Sequence, residues 1–383
     1  MITNQDHQDQ LGVYRIGDLK FYSKLEAIEM QTKTGIHLHW DFNEAVYSSY
    51  DWTAEPKEHI LELYKRRAQQ IRNKYDYVVL MFSGGADSTT VLESFLTNDI
   101  HLDEIATFQN YSVTEDHYSF LNAEVTRVAR PKIELLKEKY PWLKHRILDL
   151  GPMEIDYFSS AEGTSWIYEL NSTLCPSGAA RESLGLKVKE WRDIIDSGKK
   201  FCILFGGDKP RVTYKNGRYV FNFVDIIDGS CTVKSMAGQQ PYTDELFYWS
   251  PDLPEICIKQ AHMVKTYLSQ PNIENAPFII PEMTSVSCTV KNGKTHWLTV
   301  HGVNSIVYPN WDITTFSVGK GKDILLCPRD EWLFNLADNH IVKKSWEIGK
   351  QKLLQTLPDH WKNDLSNWAK GVKGCISKDY YLE

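Results

Sequence analysis

Residues 78–88 read VVLMFSGGADS, and the rest of the chain is best understood outward from them. Tyr75 to Phe82 is a near-continuous apolar run, as expected for a strand buried on both faces. It passes directly into Ser83-Gly84-Gly85-Ala86-Asp87-Ser88, and a helix is expected from Thr89. Two adjacent glycines let the backbone turn tightly and approach a ligand with no Cβ in the way. The amide N–H groups of such a turn, with the N-terminus of the next helix, make an anion site. Ser83, Ser88 and Thr89 add hydroxyl groups. Asp87 would repel a bare phosphate, so its presence calls for a bridging cation, most simply Mg²⁺.

The pattern on either side extends this unit. Glu55 to Lys74 reads as a helix with Ile60, Leu63, Tyr64, Ala68 and Ile71 on one face. After the loop come strands at 102–108, 145–150 and 201–205. They alternate with helices at 89–96, 118–140, 164–173 and 187–197. Strands alternating with helices indicate a doubly wound parallel α/β sheet. Right-handed crossovers put the strand-end loops on one edge, where ligands bind. The fourth strand ends in Gly206-Gly207-Asp208-Lys209, so this loop is expected on the same edge as residues 83–88.

S-G-G-x-D-S after an apolar strand resembles the signature of the PP-loop ATP pyrophosphatases, the adenine nucleotide alpha-hydrolase-like superfamily. This group includes asparagine, GMP, NAD and argininosuccinate synthetases, tRNA thiolation enzymes and sulfonucleotide reductases. The resemblance covers about residues 75–210. In arrangement the chain is most similar to asparagine-synthetase-like stand-alone PP-loop proteins, including those of large tailed bacteriophages. The amino-terminal glutaminase of asparagine synthetase needs a Cys at position 2, and here Ile2 stands there.

The resemblance implies an ATP-dependent, AMP-forming ligase acting with Mg²⁺. ATP is cleaved between its α- and β-phosphates, a substrate oxygen is adenylated, and a nitrogen or sulfur nucleophile displaces AMP. Ser83, Gly84, Gly85, Ala86, Asp87, Ser88 and Thr89 would hold the phosphates, with Asp87 on the metal. Thr107 and Phe108, at the end of the second strand, would lie near the adenine, unless they simply end the strand. Gly207 permits close backbone approach. Lys209 and Arg211 would neutralise charge on the departing pyrophosphate. Asp208 is a second candidate metal ligand, or orients Lys209. The alternative for residues 205–212 is a solvated turn leading into a hairpin. Two further readings stay open: a sulfonucleotide-reductase-like enzyme using Cys375, and a nucleotide-binding sensor or partner protein without turnover.

Composition bounds these readings. The chain has 383 residues, of which 42% are hydrophobic and 24% charged. That length and balance fit one large or two ordinary globular domains. A net charge of −7 argues against broad nucleic-acid binding. The seven cysteines include no C-x-x-C pair, which weighs against zinc and iron–sulfur sites. No apolar run reaches the roughly 18 residues of a membrane span, and the polar start does not read as a signal peptide. A cytoplasmic protein is expected, with a homo-oligomer compatible and the acceptor unidentified. The 12 Trp, 20 Tyr and 15 Phe are read as core and interface packing.

Three parts are expected: an N-terminal extension of strands (1–54), the nucleotide domain (55–235), and a mainly helical C-terminal domain (236–383). Residues 211–224 read as a hairpin about Asn216-Gly217, and 243–269 and 328–370 as largely helical. Secondary site candidates are Arg181, reaching a carboxylate or phosphate, and Cys175, more plausibly inert. Lys259 and His262 share a helix face, which either lines a cleft or docks a helix. Residues 308–312 with Lys320, Lys322 and Arg329 form either a basic acceptor site or a surface loop.

Overall fold

The computed structural model describes residues 9–109, 125–160, 165–169, 176–207, 209–225, 231–280, 287–311, 340–356 and 375–383. The expected sheet is present. Its strands are β1 (Tyr77–Met81), β2 (Glu104–Gln109), β3 (Lys144–Asp149), β4 (Phe201–Phe205) and β5 (Thr243–Leu246). They lie in the order β5-β4-β1-β2-β3, and every pairing is parallel. Helices flank the sheet on both sides. All residues of β1 and β4 are buried, which is why both read as unbroken apolar runs. The chain moves outward from β1 through β2 to β3, then returns to build β4 and β5 on the other side. Direction therefore reverses between β1 and β4, and in open parallel sheets the crevice for a ligand lies there, beyond the strand ends.

The helices that bear on the crevice are α1 (Ile60–Lys74), α2 (Ala86–Leu96), α3 (Arg130–Lys139), α4 (Glu255–Leu268) and α5 (Val300–Val307). α2 begins at Ala86, earlier than expected, so Asp87 lies in its first turn. A single π-helical turn, Val125–Ala129, leads into α3, and Pro131 sits at the start of the α-helix. The missing N–H of a proline costs nothing at that position. The helix expected at 164–173 is represented in the described residues by a short 3₁₀ turn, Trp166–Tyr168.

One boundary needs correction. Residues 243–246 are a strand of the main sheet rather than helix, so the sheet continues past the division expected at 235. Asp244 and Glu245 hide this strand from a hydrophobicity reading. Glu245 is nonetheless buried, because α1 and the residue after it deliver its partners. Arg67 reaches it at 2.7 Å and Lys74 at 2.6 Å, and the Tyr75 hydroxyl donates to it at 2.5 Å. Arg67 is itself fully buried. The described part of 236–383 holds three longer helices, Glu255–Leu268, Val300–Val307 and His340–Thr356, and also a hairpin of Ser287–Lys291 and Lys294–Leu298, with Ile279–Ile280 on its edge.

The remaining strands form two small antiparallel sheets. Val13–Ile16 pairs with Leu19–Phe21 around Gly17-Asp18, and with Leu38–Asp41 on its other side. Val212–Lys215 and Arg218–Phe221 form the expected hairpin. Its turn holds Asn216 at φ 52° and Gly217 at φ 81°, the positive values that a tight two-residue hairpin turn requires. Tyr380–Tyr381 extends that hairpin. Between these sheets lies an aromatic core. Phe42 packs on Phe223 at 4.6 Å, Trp52 on Tyr380 at 4.5 Å, and Phe223 on Trp249 at 5.2 Å. The abundant rings thus serve packing. Among the described residues no helix is long and apolar enough to cross a membrane.

The Glu245 cluster sets an acid limit on stability. Burial opposes ionisation of Glu245, but Arg67 and Lys74 overcome it and pull the carboxyl from 4.5 down to about 2. The stabilisation is present above the unfolded-state value and lost as pH falls through the folded one. Glu245→Gln removes the nearer carboxylate of Arg67 and leaves Asp252 at 3.5 Å, and should cost about 3 kcal/mol near neutral pH. Urea unfolding at about pH 7 and about pH 3 should show the wild type losing stability on acidification, and the variant losing less.

Candidate functional site

The loop after β1 meets the loop after β4 at the point where the sheet reverses direction. Gly84 adopts φ 76°, a conformation that disfavours a side chain. A Cβ placed there would also come within 2.8 Å of the Ala129 Cα, so the start of α3 presses directly on the loop backbone. Ser83 and Ser88 knit the turn. The Ser83 amide donates to Ser88 Oγ at 3.3 Å, and the Gly85 amide donates to Ser83 Oγ at 3.3 Å. Thr89 Oγ1 donates to the Gly84 carbonyl at 3.2 Å. The N-cap of α2 is Gly85, which offers no side-chain acceptor. The first turn of the helix therefore keeps its affinity for an anion.

Asp87 is the pivot between the two loops. Its Oδ2 accepts from Lys209 Nζ at 2.8 Å, joining the turn after β1 to the turn after β4. The two backbones approach closely as well. A Cβ on Gly206 would lie 3.1 Å from the Asp87 Cβ, and Gly207 has φ 86°. The carboxylate and ammonium are mostly enclosed, at 24% and 14% exposure. Their attraction is therefore less screened than that of a surface pair.

Behind Asp87 lies a group of tyrosines. The Tyr248 hydroxyl donates to the Asp87 carbonyl at 2.8 Å. Its ring packs 5.4 Å from Tyr64 and 5.3 Å from Tyr308. Burial first, and then the neighbouring Asp87 charge, hold the Tyr308 hydroxyl well above its ordinary value. Tyr64 donates to the Val307 carbonyl at 2.8 Å and accepts from Gln260 at 2.8 Å, which ties α1, α4 and α5 to the back of the site. His301, near the start of α5, stacks on Trp311 with 6.1 Å between ring centres. Burial and the charge of Lys209 lower its basicity.

The sequence reasoning missed this support. Tyr248 follows β5, whose acidic pair concealed it, and Tyr64 looked like an ordinary core residue of α1. A further missed residue is Lys132 on α3. Its ammonium donates to the Gly84 carbonyl at 2.8 Å and to Thr89 Oγ1 at 3.1 Å. The K after R-P at 130–131 was a visible cation, but only the fold brings it to the loop.

Other candidates are placed elsewhere or used differently. Arg211 leads into the hairpin, where its charge acts on Cys288. It forms no ion pair with another described residue, whereas Lys209 pairs with Asp87. Thr107 is buried and its hydroxyl donates to the Phe82 carbonyl at 2.7 Å, fastening β2 to the root of the loop. Phe108 lies at the same sheet edge, with the Arg181 guanidinium 4.4 Å from its ring centre. Lys259 bonds Glu55 at 2.6 Å and His262 meets the Trp52 carbonyl at 2.9 Å, so this face of α4 docks the chain before α1. The Cys375 thiol is pushed up to about 12 by burial and is not poised as a thiolate. Asp208, Cys175, Lys320, Lys322 and Arg329 lie outside the described residues.

No group of three or more His, Cys, Asp or Glu side chains suited to a metal occurs among the described residues. Where Mg²⁺ is carried by phosphate oxygens and one carboxylate, the usual habit of this ion, Asp87 is the carboxylate of this loop that could hold it. No protein-family model matches the chain, and no curated protein matches it.

The loop geometry is directly testable. Gly84→Ala combines a left-handed backbone with a clash against the Ala129 backbone, neither of which a flexible side chain can relieve. It should lower stability by about 2 kcal/mol or more, measured as a shift in urea midpoint at unchanged slope.

Proposed function

We propose that this chain is an ATP-dependent, AMP-forming enzyme of the PP-loop kind. The observation that carries the reading is the meeting of two Gly-containing loops at the reversal point of the sheet, joined by Asp87 and Lys209 at 2.8 Å. Open parallel sheets bind ligands in that crevice, and the loop after β1 has the amides, hydroxyls and helix terminus of a phosphate site.

In this reading the amides of residues 84–86 and the first turn of α2 receive the β- and γ-phosphates. Asp87 would hold the Mg²⁺ that accompanies ATP, which supplies charge neutralisation for the triphosphate. Lys209, fixed beside Asp87, stabilises the negative charge that builds on pyrophosphate as it leaves the α-phosphorus. An oxygen of the acceptor attacks that phosphorus and takes the adenylyl group. A nitrogen or sulfur nucleophile then displaces AMP. No protein nucleophile is required, since positioning and charge supply the acceleration. The high basicity of the partly buried Cys375 thiolate disfavours a reductase-like role for that residue.

The test is incubation with Mg²⁺, ATP labelled at the α-phosphate, and a cell metabolite extract to supply the acceptor. AMP and pyrophosphate should appear in matching amounts and only with extract. Formation of ADP instead would overturn the reading. Asp87→Asn keeps the carbonyl that Tyr248 holds, so the fold should survive. Its AMP formation should fall by about a hundredfold or more. Unchanged turnover in that variant would likewise remove the proposal.

A further inference from the structure

Lys132 is tied to the anion loop by contacts that the proposed reaction has not used. The π-helical turn Val125–Ala129 and the start of α3 bring the chain against the loop, with Ala129 packed on Gly84. Arg130 donates to Gln109 at the end of β2 at 2.8 Å, anchoring the same turn to the sheet edge. From this anchored turn Lys132 places its ammonium 2.8 Å from the Gly84 carbonyl and 3.1 Å from Thr89 Oγ1.

The peptide geometry gives this contact a direction. No peptide bond in the described chain is cis. In a trans peptide the C=O and the following N–H point to opposite sides. A Gly84 carbonyl held toward Lys132 therefore turns the Gly85 N–H the other way. In this structure that N–H donates to Ser83 Oγ across 3.3 Å. Such a bond is long, and an anionic acceptor would outcompete it. Charge adds to orientation. Lys132 brings its positive charge to the back of this peptide. A unit charge several ångströms from a dianion, in a partly enclosed site, changes affinity by about tenfold or more.

We propose that Lys132 is a positioning residue of the anion loop. From behind the Gly84–Gly85 peptide it aims the Gly85 N–H at the ligand and polarises that N–H with its charge. The inference rests on the reading of residues 83–89 as a pyrophosphate cradle, and it adds a residue outside the S-G-G-x-D-S motif to that cradle. The chemical class recognised is a polyphosphate, as the free anion or as the tail of a nucleotide.

Calorimetric titration of the full chain with inorganic pyrophosphate and Mg²⁺ tests it, alongside thermal melts. Lys132→Arg keeps the charge and the donors. Lys132→Gln keeps donors and loses the charge. Lys132→Met loses both. Lys132→Arg should bind within a few-fold of wild type, Lys132→Gln about tenfold weaker, and Lys132→Met weaker still, with the first two melting like wild type. Wild-type affinity in Lys132→Gln would overturn the proposal, because only a hydrogen-bonding brace would remain. Equal losses in Lys132→Arg and Lys132→Met would also overturn it, and so would a wild type that does not bind pyrophosphate. If wild type binds pyrophosphate with this ranking but forms no AMP from ATP, the AMP-forming reading fails and the role of Lys132 stands.

Discussion

Everything at the crevice depends on the parallel pairing of β1 with β4. Val78 lies beside Cys202, Val79 beside Ile203 and Leu80 beside Leu204, all buried. These strands are far apart in sequence, yet the pairing brings the ends of both to one line. Each then opens into glycine, so the two turns can approach until Gly206 nearly touches Asp87. The apolar burial that stabilises the sheet centre is thus also what sets the distance between a carboxylate and an ammonium.

The surroundings keep that distance fixed. A buried tyrosine hydroxyl holds the Asp87 carbonyl, while the carboxylate faces Lys209. The tyrosine comes from the segment after β5, and β5 is held to α1 by the Arg67–Glu245 pair at 2.7 Å. A buried ion pair of this kind is weak evidence of net stability but leaves little freedom in register. Slipping β5 by one residue would turn Glu245 to the opposite face and strand Arg67. The charge cluster on β5 and the tyrosine against Asp87 are therefore successive links in one alignment.

The central sheet was legible because its signal is local. β1 and β4 are apolar runs bounded by Gly-Gly, and α1 has a clear apolar face. The loop residues Ser83 to Thr89 were legible for the same reason, since their meaning depends on immediate neighbours. What escaped was non-local. Asp244-Glu245 looks solvent-facing until Arg67 and Lys74 are known to lie opposite. Lys132 and Tyr248 acquire their roles only once α3 and the end of β5 are placed against the loop.

The contact between Gly84 and Ala129 has an evolutionary corollary. One position lacks a Cβ and the other contributes its own backbone to the space that a Cβ would fill. Position 84 cannot gain a Cβ unless the backbone at 129 retreats, and a retreat of Ala129 would draw Lys132 away with it. Drift in the two segments is therefore yoked, although they are separated by the whole of β2 and its following connection. Descendants of this sequence that vary at 84 should carry a compensating change around 125–132.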